Sequence, residues 1–195
     1  AFPNTTVAAK NGCKAATPSS YMVMCLDLSV APNVDLVLVE YNVNDQFYDS
    51  ILQNPSAKDL ERLLRRILAL PGRPAVVLVQ VPRQENTTLP YHFSSEDVEG
   101  ALAHYYDLSY LSLRAALYPL ATLKRDVRFP WDHMIVEDGH LGNSGHRMVA
   151  DMIVYLLQEA YLAMLIEQHE FDDKDGDMRE LPPPMYTGTT KLPPL

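Results

Sequence analysis

The fold is decided by the stretch Val34-Asp35-Leu36-Val37-Leu38-Val39-Glu40-Tyr41, a short run rich in Val and Leu that follows a Pro-Asn turn. A run of this kind predicts a strand buried on both faces. A second such run spans residues 74–81. Between them, residues 56–70 carry leucines at helical spacing and end at Pro71-Gly72, which predicts a helix. Strand, helix and strand in this order form a crossover unit, so the two strands are predicted to be parallel.

The same alternation continues along the chain. The sequence predicts a helix over 94–106, a strand over 109–113, a helix over 114–124 that is interrupted at Pro119, and a long amphipathic helix over 144–168. This order predicts an α/β fold in which a mostly parallel central sheet is flanked by helices.

The predicted domain covers residues 1–168. Residues 169–195 turn acidic and then proline-rich, a composition that predicts an extended tail or linker that buries no core.

The charge balance bears on partners. The 195 residues hold 16 Lys plus Arg against 25 Asp plus Glu, a formal net charge of −9. No excess of positive charge is available for a polyanion, so nucleic acid is not a predicted partner. The longest apolar stretch is interrupted by Asp151, Gln158 and Glu159, so no membrane span is predicted.

The two cysteines, Cys13 and Cys25, fit either one disulfide or two buried thiols, of which thiols are favoured. The histidines His133, His140 and His146 lack a compact ligand spacing, so no metal site is predicted, and no cofactor is predicted either. The oligomeric state cannot be inferred from the sequence.

Two polar loops lie where α/β sheets bind ligands, beyond the carboxyl ends of strands. The first is Glu40–Asp45, whose Asn and Asp residues could equally be turn chemistry. The second is Val136–His146, in which His140 follows Glu137 and Asp138 and precedes the last helix. A carboxylate could orient this imidazole as a general base. The alternative is a capping loop with exposed histidines.

Taken together, the two loops resemble the SGNH hydrolase superfamily of GDSL-type esterases, and in particular its capsule-associated-protein-like eukaryotic members. Residues 42–45, Asn-Val-Asn-Asp, are similar to the family's Gly-x-Asn-Asp block. Residues 137–146 are similar to its Asp-x-x-His block with a trailing Gly-His. The resemblance extends over about residues 1–168, and residues 34–45 and 145–151 carry the likeness to the eukaryotic members.

The resemblance implies roles for individual residues. Asn44 would donate its amide to an oxyanion, supported by Asn42 and Asp45. His140 would be the catalytic base, oriented by Glu137 or Asp138, and the choice between the two carboxylates stays open.

Two further family features are missing or altered. The family's Gly-Asp-Ser block, which carries the nucleophile on the first strand, is absent from the sequence. The chain is therefore expected to be a truncated form that starts after this block and lacks that strand. The positions expected to hold a second oxyanion donor, a glycine in the family, are Ala15 and Ala16.

For the fold, the resemblance implies a three-layer sandwich with a mostly parallel central sheet of flavodoxin-like type. For the function, it implies part of a serine esterase or acyl-transfer domain acting on a small-molecule or carbohydrate O-acyl ester, with carbohydrate acetyl groups as a candidate substrate. A catalytically silent SGNH-like binding or scaffold module is the alternative. Glycosylation sequons at Asn4 and Asn86 favour the secretory route or an extracellular location.

Overall fold

A computed structural model describes residues 5–45, 54–82, 94–123, 134–136, 139–167 and 180–186. Within these ranges, three parallel strands form one sheet in the order β1-β2-β3: β1 (Leu36–Val39), β2 (Ala75–Gln80) and β3 (Ser109–Ser112). The helices are α1 (Ser19–Ser29), α2 (Pro55–Leu68), α3 (Ser95–Tyr105), α4 (Leu113–Leu123) and α5 (Asn143–Glu167). The predicted α/β fold, a parallel sheet flanked by helices, is confirmed.

The helices that connect the strands begin at local capping signals. The Asn54 side chain accepts a hydrogen bond from the Ala57 amide at 3.0 Å, and Pro55 occupies the first turn of α2. At the start of α3, Ser94 and Asp97 form a reciprocal capping box. Both caps satisfy amide groups that have no partner within the helix, which fixes where each helix begins after its strand.

One face of the sheet carries the larger core. Val39 of β1 and Val76 and Leu78 of β2 point to this face, where they pack against buried side chains of α1, α2 and α3. Leu60, Leu64 and Leu102 are among these, and each is 0% exposed. The alternation of strand side chains therefore directs the even-numbered residues of β2 into the layer of helices that connects the strands.

The opposite face of the sheet is covered by α4 and α5. Val79 of β2 and Leu111 of β3 face Val149 and Met152 of α5 across a small gap. Leu113 and Leu117 of α4 form a second buried cluster, against which Met148, Val149 and Met152 pack. Leu38 of β1 lies beyond this cover and is 47% exposed.

Helix α5 differs from the sequence-based expectation about membranes. Among the described residues, one helix, over Asn143–Ile166, is long and apolar enough to cross a membrane by length and composition, with a mean hydropathy of 1.6 over 18 residues. No residue of that 18-residue window is buried. Its N-terminal half packs against the domain through Met148, Val149 and Met152.

Three local predictions were wrong or incomplete. Helix α1 was not predicted, although Pro18 followed by two serines marks its start and Met22 and Leu26 share its buried side. Helix α4 continues through Pro119, so the predicted interruption is wrong, although an interior proline removes one backbone hydrogen bond of a helix. Both thiols are free as favoured, but Cys13 is exposed rather than buried.

The prediction that residues 169–195 bury no core is wrong for residues 180–186. Tyr186 is 3% exposed and belongs to the main core, and Met185 packs against it. Composition alone missed this because one buried aromatic side chain suffices to anchor a short proline-rich segment against the core. The division into residues 1–168 and 169–195 stays a prediction.

Candidate functional site

The side chain of Asn42 ties the loop after β1 to the chain after β2. Its Nδ2 donates to the Val81 carbonyl at 2.7 Å, and its Oδ1 accepts from the Val81 amide at 3.1 Å. The Asn42 carbonyl accepts from Ser95 Oγ at 2.8 Å, at the start of α3. Asn42 is 2% exposed. An amide is suited to this position because it offers a donor and an acceptor side by side.

The same loop is closed by a turn and held to α1. The amides of Asn44 and Asp45 both donate to the Tyr41 carbonyl, at 2.9 and 2.7 Å. Asp45 Oδ1 accepts from the Ser19 amide at 2.7 Å, in the first turn of α1. A carboxylate at a helix N-terminus meets amide groups that lack partners within the helix. The loop is therefore fixed by contacts to α1, to α3 and to the residue after β2.

Asn44 is the exposed residue between these anchors. Its backbone is fixed by the turn to Tyr41, and its neighbours Asn42 and Asp45 are both 2% exposed. A side-chain amide held this way can donate to a negatively charged oxygen without reorganising the loop. The turn itself is made by backbone hydrogen bonds, whereas the side chains of Asn42 and Asp45 bond to Val81 and Ser19 rather than to their own turn.

Asp45 is a buried carboxyl group with an altered pKa. Burial raises its pKa to about 6, while hydrogen bonds from Ser19 act to lower it and the charge of Asp59 raises it further. Its Oδ2 has no hydrogen-bond partner among the described residues. The group therefore holds its proton more tightly in the folded protein than in water.

A buried pair joins the end of β2 to α3. Gln80 Nε2 donates to Glu99 Oε2 at 2.8 Å, and the two residues are 0% and 3% exposed. Burial raises the pKa of Glu99 well above its usual range. The sequence gives no signal for this pair, because neither residue stands out from its predicted strand or helix.

A second buried network joins the end of β3 to α3. Arg114 Nε lies 3.2 Å from Glu96 Oε2, and its Nη2 donates to Asp97 Oδ1 at 3.0 Å. Ser112 Oγ donates to Glu96 Oε1. Buried ions need such partners, because an unpaired charge in the interior costs several kcal/mol. The network holds the start of α3, which in turn holds Asn42 through Ser95.

His140 lies in a short two-stranded turn that precedes α5. Ile135 pairs with Leu141 as an antiparallel bridge, and the Val136 amide donates to the His140 carbonyl at 2.8 Å. The Gly142 amide donates to the Met134 carbonyl at 2.8 Å. His140 itself is exposed. Its two candidate carboxylate partners, Glu137 and Asp138, lie outside the described residues.

Gly145 lets the first turn of α5 pack against the His140 loop. A Cβ atom placed there would lie 2.6 Å from the Met134 carbonyl oxygen and 2.7 Å from Leu141 Cδ2. These distances are shorter than any ordinary contact, so a side chain would push the helix away from the loop. The position of His140 relative to α5 therefore depends on a glycine at 145.

Ala15 and Ala16 occupy an exposed turn before α1. Ala16 has a φ of 56°, in the left-handed region that glycine adopts without strain. The chain thus takes, at the position expected to hold a glycine, a conformation that glycine favours. Their role as oxyanion donors stays a prediction.

The structure brings Asn42, Asn44 and Asp45 together on one fixed loop at the carboxyl end of β1. That Asn44 and His140 face one cleft stays a prediction. In the part of the chain that the structure describes, no group of three or more His, Cys, Asp or Glu side chains could hold a metal ion.

No family model and no curated protein matches the chain. Two solved structures, both of a two-domain esterase (CEX) active on acetylated mannans, are similar to it. One, co-crystallised with mannopentaose, has a TM-score of 0.68 at 24% identity and matches 82% of this chain and 40% of that one. The other has a TM-score of 0.72 at 22% identity and matches 94% of this chain and 44% of that one. The chain spans less than half of these structures, and the likeness establishes the fold.

The contact at Gly145 predicts the effect of adding a side chain there. We expect Gly145→Ala to lower the free energy of unfolding by about 1–3 kcal/mol, because the Met134 carbonyl or the helix must move. Gly100→Ala in α3 is the matched control, since its Cβ would lie 3.5 Å from the Tyr110 ring, an ordinary contact. We expect that control to be neutral or stabilising. Equal urea midpoints for the two variants would contradict the account of the loop.

The pKa of Asp45 predicts a pH dependence of stability. The folded-state pKa of about 6 exceeds the ordinary carboxyl pKa of 3.8, so the folded protein binds this proton more tightly. The group therefore contributes stability that is complete below the unfolded pKa and is lost as the pH rises through about 6. Between about pH 4 and pH 7.5 the free energy of unfolding of the wild type is expected to fall by about 2–3 kcal/mol through this group. We expect this fall to be absent in Asp45→Asn, which keeps the acceptor for the Ser19 amide.

Urea unfolding at each pH measures this loss, and Asp35→Asn at an exposed position is the control. The wild type and the control are expected to share one pH profile, and Asp45→Asn is expected to be flatter. A variant profile as steep as that of the wild type would show that Asp45 is not the titrating group.

Proposed function

We propose that the chain is part of a serine esterase or acyl-transfer domain of SGNH type that acts on O-acyl esters, with acetyl groups on carbohydrate as the substrate class. The observation that carries the proposal is the fixed loop after β1, which presents Asn44 between the buried anchors Asn42 and Asp45. The fold that this chain shares with an esterase active on acetylated mannans supports it.

In this proposal Asn44 stabilises the reaction's tetrahedral intermediate. An ester carbonyl oxygen gains negative charge when a nucleophile attacks the carbon, and a donor fixed before the reaction stabilises that charge most effectively. The loop that carries Asn44 meets this requirement, because its hydrogen bonds to the Tyr41 carbonyl and to Ser95 are made in the protein alone. Backbone amides of the Ala15-Ala16 turn are the further candidate donors.

His140 is the proposed general base. It would take the proton of a serine hydroxyl during attack and return a proton to the leaving alcohol. Glu137 or Asp138 would orient the ring and stabilise its charged form. The sequence contains no Gly-Asp-Ser block, so the proposal assigns the serine to polypeptide outside these 195 residues.

Site variants of the full-length protein test the proposed roles. We expect His140→Ala to lower kcat for p-nitrophenyl acetate by about 10⁴ or more, and Asn44→Ala by about 10² to 10³. His104→Ala and Asn33→Ala, at exposed positions outside both loops, are the matched controls and are expected to keep wild-type rates. Mild and equal losses for the two site variants would contradict the assigned roles.

The alternative function is a catalytically silent binding module of the same fold. It is favoured by the absence of the nucleophile block from the sequence. A fluorophosphonate probe on the full-length protein separates the two, because only an activated serine reacts with it. Labelling that disappears in His140→Ala supports the esterase, and no labelling of the folded protein supports the binding module.

A further inference from the structure

Residues Leu181–Tyr186, Leu-Pro-Pro-Pro-Met-Tyr, lie along a groove between α2 and the end of α3, and we call this segment the strap. It has no helix or strand of its own. It is held instead by two side chains of α2, Arg65 and Glu61, and by Tyr105 at the end of α3.

Two side chains of the groove bind the proline backbone of the strap. Arg65 Nη1 donates to the Pro182 carbonyl at 2.6 Å, and the Tyr105 hydroxyl donates to the Pro183 carbonyl at 2.6 Å. Proline-rich segments leave their carbonyls unpaired within the chain, so they are easily bound by such donors. These contacts recognise the backbone of a proline run rather than particular side chains.

Glu61 recognises the end of that run. Its carboxylate accepts from the amides of Met185 and Tyr186, the latter at 3.1 Å, and from the Tyr106 hydroxyl at 2.6 Å. Glu61 is 0% exposed. Because prolines have no N–H, these two amides are the first that a chain can donate after Pro184. The carboxylate therefore fixes the register of the strap in the groove.

Aromatic side chains complete the groove and provide its anchor pocket. The rings of Tyr105 and Tyr106 meet edge to face with centroids 5.1 Å apart. The Arg65 guanidinium lies 5.8 Å from the Tyr106 ring centroid. Tyr186 belongs to the main core together with Tyr106 and is 3% exposed. Tyrosine walls with one buried aromatic anchor are typical of peptide recognition sites.

The groove lies far from the candidate site. The first residue of α3, Ser95, holds Asn42, whereas the groove uses Tyr105, the last residue of the same helix. Ten residues of helix correspond to about 15 Å. A ligand in the groove would leave the loop of Asn44 accessible.

We propose that the groove between α2 and α3 is a recognition site for proline-rich segments of other polypeptides of the type Pro-Pro-Pro, apolar residue, Tyr, and that the strap is its ligand in cis. The strap shows which chemistry the groove accepts: two proline carbonyls, two amides after the run, and a tyrosine. A tethered ligand competes with a free one through its high effective concentration, so the strap sets how readily a partner binds. This inference does not depend on the proposed esterase function.

Peptide binding tests the proposal. The probe is a fluorescein-labelled peptide of residues 179–188, and binding is followed by anisotropy. Tyr186→Ala weakens the anchor of the strap but leaves every groove side chain in place. We expect this variant to bind the peptide at least about tenfold more tightly than the wild type does, because competition in cis is reduced. Tyr155→Ala, at an exposed tyrosine of α5, is the control and is expected to behave as the wild type.

Two results confirm that the peptide occupies the groove. A peptide carrying alanine in place of the tyrosine at 186 is expected to bind at least about tenfold more weakly, since it lacks the anchor. Arg65→Ala combined with Tyr186→Ala is expected to weaken binding of the native peptide again. A folded Tyr186→Ala protein that does not bind the peptide overturns the proposal, and so does a variant that does not fold.

Hydrogen exchange of the wild type provides a test that needs no variant. If the strap is a ligand in cis, it must leave the groove while the domain stays folded. The amides of Met185 and Tyr186 are therefore expected to exchange faster than the amide of Leu78 in β2. If the amides of Met185 and Tyr186 exchange no faster than the amides of β2, the strap is a permanent part of the core and the proposal is wrong.

Discussion

The two hydrogen bonds between the Asn42 side chain and the Val81 backbone are the interaction on which the candidate site depends. They join the ends of two neighbouring parallel strands after the ladder of the sheet has stopped. Both groups of Val81 would otherwise lack these partners, and leaving a buried donor or acceptor unpaired costs about 1–3 kcal/mol. The turn that follows, and with it the exposed Asn44, takes its position from this contact. The Ser95 hydroxyl and the Asp45 carboxyl extend the same anchor to α3 and α1.

Three acidic side chains are buried near the carboxyl ends of the strands. Asp45, Glu96 and Glu99 are 2%, 1% and 3% exposed, and the last two are held by Arg114 and Gln80 respectively. Burial raises the pKa of Asp45 and Glu99, so part of this acid is favoured in its neutral form.

The local spacing of apolar residues was enough to predict most of the fold, but it could not predict contacts between residues that are far apart in the sequence. Strand β2 and helices α2 and α5 lie within two residues of their predicted bounds, because apolar spacing and caps act locally. The resemblance to a hydrolase block marked Asn44, but only the folded chain shows that Asn42 reaches Val81. The ion pair of Glu96 with Arg114 and the burial of Tyr186 also join separate segments. Composition cannot predict either contact, since each depends on how helices pack.

Native-state hydrogen exchange at the Val81 amide measures the central contact directly, because that N–H donates to Asn42 Oδ1 beyond the end of β2. We expect this amide to exchange about as slowly as the amides within β2. We expect Asn42→Ala to speed its exchange by at least about tenfold while the Leu78 amide keeps its rate. A Val81 amide that exchanges as fast as the exposed turn before β1 in the wild type would contradict the account. It would show that the loop of Asn44 is not held in place before a substrate binds.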